Sequence, residues 1–391
     1  MSVTWLLKPG ELTLKGNNRK SFEDTLKRNI LRMLGEIKVK IKITNGRFFL
    51  ECGDENSAVV ENCLSRLIGI SGWARTVICP KTQEAVFSAS VEEARKLANN
   101  GVKTFKIRAR RTDKAFPLDS YGLCCKAGEA VLTSVSGLKV DIHNPQDIIN
   151  IEIREKAYVY SGGNKGLGGL PVGCAGRGLL LLSGGIDSPV AGFLMACRGM
   201  SVDAIHFHAY PYTSLEAKQK VIRLAEITGA FCMGIRLYVL NFTQVQQRIK
   251  ERAPNEWATV ILRMAMMSSA EKAALKIKCN CLITGESLSQ VASQTIENLR
   301  CTESLIKLPV LRPLIGMDKE TIIKKAKKLG TFEVSILPYA DCCTLFSPAH
   351  PILHGEPESA RAIYESLELE PLIDDALNGY EIFSANQYEK K

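Results

Sequence analysis

Six residues near the middle of the chain have the composition of an anion-binding loop: Ser183-Gly184-Gly185-Ile186-Asp187-Ser188. They follow a short apolar run, Gly178 to Leu182, and precede a helix pattern from Pro189 to Arg198. Two adjacent glycines let the backbone pass close to a ligand, and N–H groups at a helix start form a nest suited to pyrophosphate. No Gly-Lys-Ser/Thr closes the loop, so it is not a Walker A motif, and the anion's charge has to be met by backbone dipoles, a metal and other basic residues. The expected ligand is ATP. Asp187 is placed to hold Mg²⁺ against its β- and γ-phosphates, and the hydroxyls of Ser183 and Ser188 to donate to it.

A loop of this kind needs a sheet to present it. From about residue 176 the chain alternates strand and helix patterns. Val202 to His208 and Cys232 to Tyr238 read as strands, Ser214 to Thr228 and the stretch around Trp257 to Ala274 as helices, and Cys281 to Thr284 as a further strand. Apolar strands alternating with helices predict a doubly wound parallel sheet, which binds ligands at the carboxyl ends of its strands.

The chain before this block reads differently. In residues 1–55 a short strand, Val3 to Leu7, is followed by a helix pattern with Phe22, Leu26, Ile30, Met33 and Leu34 on one face, then by a hairpin about Asn45-Gly46. Residues 56–165 contain Phe105-Lys106-Ile107-Arg108-Ala109-Arg110-Arg111-Thr112-Asp113-Lys114. As a strand this places Lys106, Arg108 and Arg110 on one face and Phe105, Ile107 and Ala109 on the other, a cationic row fit to read a phosphate backbone. The glycine-rich stretch from Ser161 to Leu170 lacks the ordered Gly-x-Gly-x-x-Gly and helix of a dinucleotide loop, and residues 166–176 read as a flexible linker.

Charge divides along the same line. Residues 1–176 hold 27 Lys and Arg against 18 Asp and Glu, and the rest hold 24 against 23, so nearly all of the net +10 lies in the first half. That half is expected to carry a polyanion, with nucleic acid favoured over a merely solubilising surface. The start of the chain shows no secretory pattern, and the longest purely aliphatic run, Leu179 to Leu182, cannot cross a bilayer, so a cytoplasmic protein with no membrane partner is expected. Thirteen scattered cysteines then read as thiols rather than a disulfide framework. Cys279-x-Cys281 lacks the second pair a structural zinc site needs.

Ser-Gly-Gly-x-Asp-Ser resembles the signature of the PP-loop ATP pyrophosphatases, which split ATP between the α- and β-phosphates and leave AMP on a substrate. Further strings narrow this. Thr284-Gly285-Glu286-Ser287-Leu288-Ser289-Gln290-Val291-Ala292-Ser293-Gln294-Thr295, Leu311-Arg312-Pro313-Leu314, Met317-Asp318-Lys319-Glu320 and Gly10-Glu11-Leu12-Thr13-Leu14-Lys15-Gly16-Asn17-Asn18-Arg19 are similar to the tRNA 4-thiouridine synthetases, or tRNA sulfurtransferases, of the ThiI family. The resemblance implies a ferredoxin-like α+β domain and a THUMP RNA-binding domain before a PP-loop domain at 177–391.

It further implies RNA contacts at Lys15, Arg19, Lys106, Arg108, Arg110, Arg111 and Lys114. For ATP it implies a pocket formed by Leu181, Leu182, Ser183, Gly184, Gly185, Asp187, Ser188, His206, Phe207, Arg263, Gly285 and Gln294. Lys319 matches a lysine the family uses in catalysis, fit to stabilise charge on the α-phosphate. Cys342-Cys343 matches the place of the family's catalytic cysteine, a carrier of persulfide sulfur. Spacing from Lys319 favours Cys342, and Cys343 stays open.

The implied reaction is adenylation of uridine 8 of tRNA and its conversion to 4-thiouridine. A PLP-dependent cysteine desulfurase would donate the persulfide, and the resemblance allows transfer to a small sulfur-carrier protein for thiazole synthesis in thiamine biosynthesis, and a homodimer. Some family members carry a rhodanese-like domain with a second active cysteine. About fifty residues follow Cys343, short of a typical domain, so the partner cysteine is expected elsewhere in this chain or in another protein. A small-molecule synthetase of amidotransferase type would need a glutamine-hydrolysing domain, and none is evident. A non-catalytic RNA-binding protein would leave the loop unexplained.

Overall fold

The computed structural model describes residues 2–16, 18–44, 46–339, 348 and 350–385. The chain forms two compact units, one of residues 1–23 with 34–169 and the other of residues 24–33 with 170–391.

The elements up to residue 165 are β1 (Ser2–Lys8), α1 (Arg19–Leu34), β2 (Lys40–Thr44), β3 (Arg47–Gly53), α2 (Ser57–Arg66), β4 (Gly72–Arg75), β5 (Val77–Cys79), α3 (Gln83–Asn99), β6 (Thr104–Arg111), α4 (Ser120–Ser134), β7 (Lys139–Val140), β8 (Asp147–Ile153), β9 (Ala157–Tyr160) and β10 (Asn164–Lys165). They make two five-stranded sheets, ordered β10-β4-β1-β3-β2 and β5-β9-β8-β6-β7. The first sheet is antiparallel and places β4 beside β1, so it extends past the boundary expected at residue 55. In the second sheet β6 runs parallel to β7 and β8, and buried Phe105 and Ile107 join Val86, Leu123, Val131, Ile149 and Ile151 in a core beneath α3 and α4. The two sheets meet through Leu6, Phe49, Ala74, Tyr158 and Tyr160, with the Phe49 and Tyr158 rings stacked 4.5 Å apart.

The glycine-rich stretch is held rather than free, against the expectation of a flexible linker. β10 pairs with β4, the Gly166 N–H donates to the Ser71 carbonyl (3.0 Å) and the Gly168 N–H to that of Ile70 (2.7 Å). A Cβ at 166 would stand 2.3 Å from the Ile70 oxygen, so glycine is there for close backbone approach. Beyond it, the Leu170 and Gly173 amides donate to the carbonyls of Cys197 and Gly199.

The remaining elements are β11 (Arg177–Leu181), α5 (Asp187–Cys197), β12 (Ser201–His208), α6 (Leu215–Gly229), β13 (Ile235–Asn241), α7 (Thr243–Arg252), α8 (Ala258–Lys276), β14 (Cys281–Ile283), α9 (Ile296–Glu303), β15 (Val310–Leu311), α10 (Lys319–Leu329), α11 (Phe332–Ser335), α12 (Pro357–Ser366), α13 (Glu370–Asn378) and β16 (Glu381–Ala385). Their sheet runs β15-β14-β11-β12-β13-β16, parallel except for β16. The antiparallel edge strand is an addition to the all-parallel expectation. Strand order reverses at β11: β12 lies on one side of it and β14 on the other.

Helices cover both faces. Leu179, Leu282 and Ile205 point into the core built on α8, which is buried on nearly every side. Leu180 faces the other way, and a Cβ at Gly192 of α5 would stand 2.7 Å from its Cδ2. No helix among the described residues is long and apolar enough to cross a membrane.

Candidate active site

The loop 183–188 leaves the carboxyl end of β11 and enters α5 at Asp187, at the point where strand order reverses. Doubly wound sheets open a crevice there. The two serines shape the loop itself. The Ser183 amide donates to the Ser188 hydroxyl (3.0 Å), the two hydroxyls lie 3.1 Å apart, and the Gly185 amide donates to the Ser183 hydroxyl (3.2 Å). Ile186 stands at the helix N-cap without a side-chain cap, which leaves first-turn N–H groups of α5 for an anion.

Gly285, directly after Thr284 at the end of the neighbouring β14, closes the other wall. A Cβ at 285 would stand 2.7 Å from the Ser188 nitrogen and 2.8 Å from its Cα, so only glycine lets this turn lie against the start of α5. The cleft between these walls is lined by Leu181, Leu182, Ser183, Asp187, Ser188, His206, Phe207, Arg263, Gly285 and Gln294, with Met266, Met267, Thr284 and Glu286 added. Gly184 and Gly185 belong to the loop but do not line the cleft.

His206 and Phe207 come from the carboxyl end of β12. His206 is buried with Nδ1 3.0 Å from the Leu182 carbonyl, and Phe207 packs edge-on to Phe242 at 4.7 Å. Next along the strand, burial and then the charge of His206 pull the His208 imidazole down to about 4. It is therefore neutral near pH 7.

Asp187 and Lys319 meet at the mouth. The Lys319 ammonium opens α10 and donates to both Asp187 oxygens (2.6 and 2.9 Å), while the Gln290 amide donates to Oδ2 (3.0 Å). Two residues with candidate catalytic roles, 132 positions apart, thus share one contact.

Glu286, inconspicuous within its motif, organises the wall. Its buried carboxylate accepts from Arg263, from Arg312 Nε (2.7 Å) and from the Thr284 hydroxyl (2.8 Å). Burial pushes the Glu286 carboxyl up, and the charges of Arg263 and Arg312 outweigh that and hold it below its ordinary range. Arg263 is therefore fixed by a carboxylate and still borders the cleft.

Among the acids lining the cleft, Glu286 is committed to two guanidinium groups, and Asp187 alone has its carboxylate at the loop. Among the described residues no three His, Cys, Asp or Glu side chains cluster to cage a metal. A single carboxylate at a phosphate nest fits Mg²⁺ carried in on a nucleotide, since that ion typically takes one or two protein carboxylates plus phosphate oxygens.

Cys342 and Cys343 lie outside the described residues. The segment leading towards them is tied at two points: the Ser335 hydroxyl donates to the Gly185 carbonyl (3.2 Å), and the buried Lys220 ammonium donates to the carbonyl of Leu337 (2.9 Å). Elsewhere, burial pushes the thiols of Cys63, Cys197 and Cys279 up to about 12, which keeps them protonated at neutral pH.

In the first unit the side chains of β6 alternate as expected. Arg108 and Arg110 are exposed, and Lys106 is half-buried with its ammonium donating to the Ile142 carbonyl (2.9 Å). Arg111 turns the other way and donates to the carbonyls of Phe116 (2.8 Å), Leu118 (3.0 Å) and Lys114 (3.4 Å), so it braces the 112–118 loop instead of facing a ligand. Lys114 is exposed, Lys15 lies 5.3 Å over the Phe22 ring, and Arg19 is paired with Glu23 (2.8 Å).

Lys8 is an addition that the sequence did not signal. Its ammonium sits 4.9 Å over the Tyr160 ring. Burial first, then Arg47, Arg108 and Arg110, lower its affinity for a proton against the opposing pull of Glu152.

A switch-point loop without a P-loop lysine, on a parallel sheet that follows ferredoxin-like and basic α/β domains, defines a PP-loop ATP pyrophosphatase with an appended N-terminal module. Residues 173–369 match the family model "Thiamine biosynthesis protein (ThiI)", residues 4–74 the ThiI ferredoxin-like domain and residues 80–161 the THUMP domain. The chain belongs to the ThiI family of tRNA sulfurtransferases. It is 47% identical over 378 residues to the "Probable tRNA sulfurtransferase" of Treponema pallidum (strain Nichols), covering 96% of this chain and 94% of the relative. A second so named, from Caldanaerobacter subterraneus subsp. tengcongensis, is 46% identical over 376 residues, covering 96% and 98%. Among solved structures, a 4-thiouridine synthetase–RNA complex with bound ATP superposes with a TM-score of 0.90 at 34% identity, covering 98% of this chain and 100% of that one.

Proposed function

We propose that this enzyme adenylates uridine 8 of tRNA with ATP and replaces its O4 by sulfur. The observation that carries the reading is the meeting of Asp187 and Lys319 at a capless helix start on the switch-point loop. The ATP and RNA in the similar 4-thiouridine synthetase complex support it.

The loop amides hold the pyrophosphate end of ATP, and Asp187 would hold a Mg²⁺ ion, which would offset the charge of the phosphates. Lys319 stabilises charge on the α-phosphate as the uridine O4 attacks and pyrophosphate leaves. The terminal sulfur of a persulfide on Cys342, with Cys343 as the alternative, then attacks C4 and AMP leaves. A second thiol attacks the resulting disulfide, frees the thiocarbonyl, and leaves an enzyme disulfide for an external thiol reductant to reset. The persulfide sulfur comes from a PLP-dependent cysteine desulfurase. The description of the matched family model, a thiamine biosynthesis protein, supports a second outlet for the same sulfur, a small carrier protein.

The test is pyrophosphate release with unmodified tRNA. Release that requires tRNA, with 4-thiouridine formed when a persulfide donor is added, is the expected result. Release without tRNA, or none with it, overturns the reading.

A further inference from the structure

We propose that the exposed face of α10 is a second RNA track, which draws the phosphate backbone of the substrate to the ATP loop; this rests on the tRNA reading above. The second half of the chain is nearly neutral, yet α10 reads Lys-Glu-Thr-Ile-Ile-Lys-Lys-Ala-Lys-Lys-Leu, five lysines against one glutamate. The helix is anchored by Ile322, Ala326 and Leu329, all buried. At 100° per residue these fall on one side, and Lys324, Lys327 and Lys328 fall on the other, where all three are exposed.

Among the described residues little neutralises them. Glu320 reaches Lys324 only at 3.8 Å, with both side chains more than three-quarters exposed, and Lys327 lies 4.8 Å over the Phe332 ring. A pair that open to water contributes almost nothing. A solubilising face would mix signs evenly, whereas this helix sets five lysines against one glutamate.

Position turns the charge into a site. The first residue of α10 is Lys319, whose ammonium grips Asp187 at the first residue of α5, and α10 packs along α5. The lysines therefore begin at the reaction centre and run outward. At a rise of 1.5 Å per residue the exposed lysines stand about 7 to 13 Å along the axis from Lys319, on the side of the helix turned away from the anchoring residues. Phosphates of one duplex strand recur about every 3.4 Å along the axis, so the roughly 6 Å from Lys324 to Lys328 is long enough to meet two or three of them. Lysine suits this task, since it binds phosphate as a point charge and reads no base. The face thus takes the sugar–phosphate backbone beside the target nucleotide, and leaves the choice of nucleotide to other parts of the molecule.

The test compares the full-length Lys324→Gln/Lys327→Gln/Lys328→Gln triple variant with the parent protein, using filter binding of unmodified tRNA between 50 and 200 mM KCl. These three residues touch neither the loop nor the cleft. Each phosphate contact contributes a slope of about 0.7–0.9 in log K against log salt, so the slope is expected to fall by about 2, with tRNA affinity down about tenfold at the lower salt and ATP affinity unchanged. A Lys→Arg triple should keep the parent slope, which separates lost charge from lost folding. A parent-like slope in the Gln triple overturns the proposal, as does an equal fall in the Arg triple. Filter binding needs no thiolation, so a parent protein that binds tRNA but forms no 4-thiouridine would count against the reaction and not against this surface.

Discussion

The two candidate ligand surfaces are built in opposite ways. In the first unit the cations stand on long side chains projecting from a sheet, with Arg108 and Arg110 exposed and Lys8 and Arg47 near them. In the second unit the loop is mostly backbone. Its serines bond each other, its helix start is uncapped, and its far wall is a glycine pressed on the Ser188 backbone. Side-chain contacts through water are redundant and screened, so they should fail by degrees. A backbone cradle has no spare parts, and a small displacement removes several donors together. The difference suits a division of labour in which one surface tolerates varied RNA contours and the other fixes one phosphate geometry.

The sharpest way to break this contrast is Asp187→Ala. tRNA-dependent pyrophosphate release should drop by about a hundred- to a thousandfold, the range for electrostatic groups at a reacting centre, while tRNA affinity stays within about twofold. A parallel loss of tRNA binding would mean that the surfaces are not separable. Gly285→Ala should weaken ATP binding by about a hundredfold, or about 2.7 kcal/mol by isothermal titration, because the new methyl displaces the first turn of α5. Unchanged ATP affinity would show that the cradle yields.

On the other surface, Arg108→Ala/Arg110→Ala should weaken tRNA binding by only about tenfold and reduce the salt slope by about 1.5, with ATP affinity unaffected. Arg111→Ala should leave that slope alone and lower thermal stability by about 1–3 kcal/mol, because three loop carbonyls lose their donor. If Arg111→Ala instead matched its neighbours in salt slope, the assignment of faces on β6 would be wrong.

Much of this was legible beforehand because it is local. The loop, its strand and its helix are adjacent in the chain, and alternation along β6 separates Phe105 and Ile107 from Arg108 and Arg110 without reference to the fold. Pairings across long intervals were not legible. Nothing in residues 183–188 says that Lys319 will close on Asp187. Nothing in the motif around Glu286 says that it will hold Arg263 from another helix and Arg312 from beyond β15. The alternation that exposes Arg110 turns Arg111 inward onto the 112–118 loop, although the family resemblance implied an RNA contact there. The glycine at 166 was read as freedom when it marks close approach, since either use demands the same missing Cβ.

The floor of the cleft has a consequence of its own. Met266 and Met267 line it from α8, and the same two side chains belong to the main core of the second unit. Nucleotide binding and unfolding of that unit therefore draw on one set of contacts. Nucleotide at a hundred times its dissociation constant raises the stability of whatever binds it by about 2.7 kcal/mol. A melting curve recorded with and without ATP should then move for the second unit and stay put for the first, so that heat alone reports which half of the molecule has met its ligand.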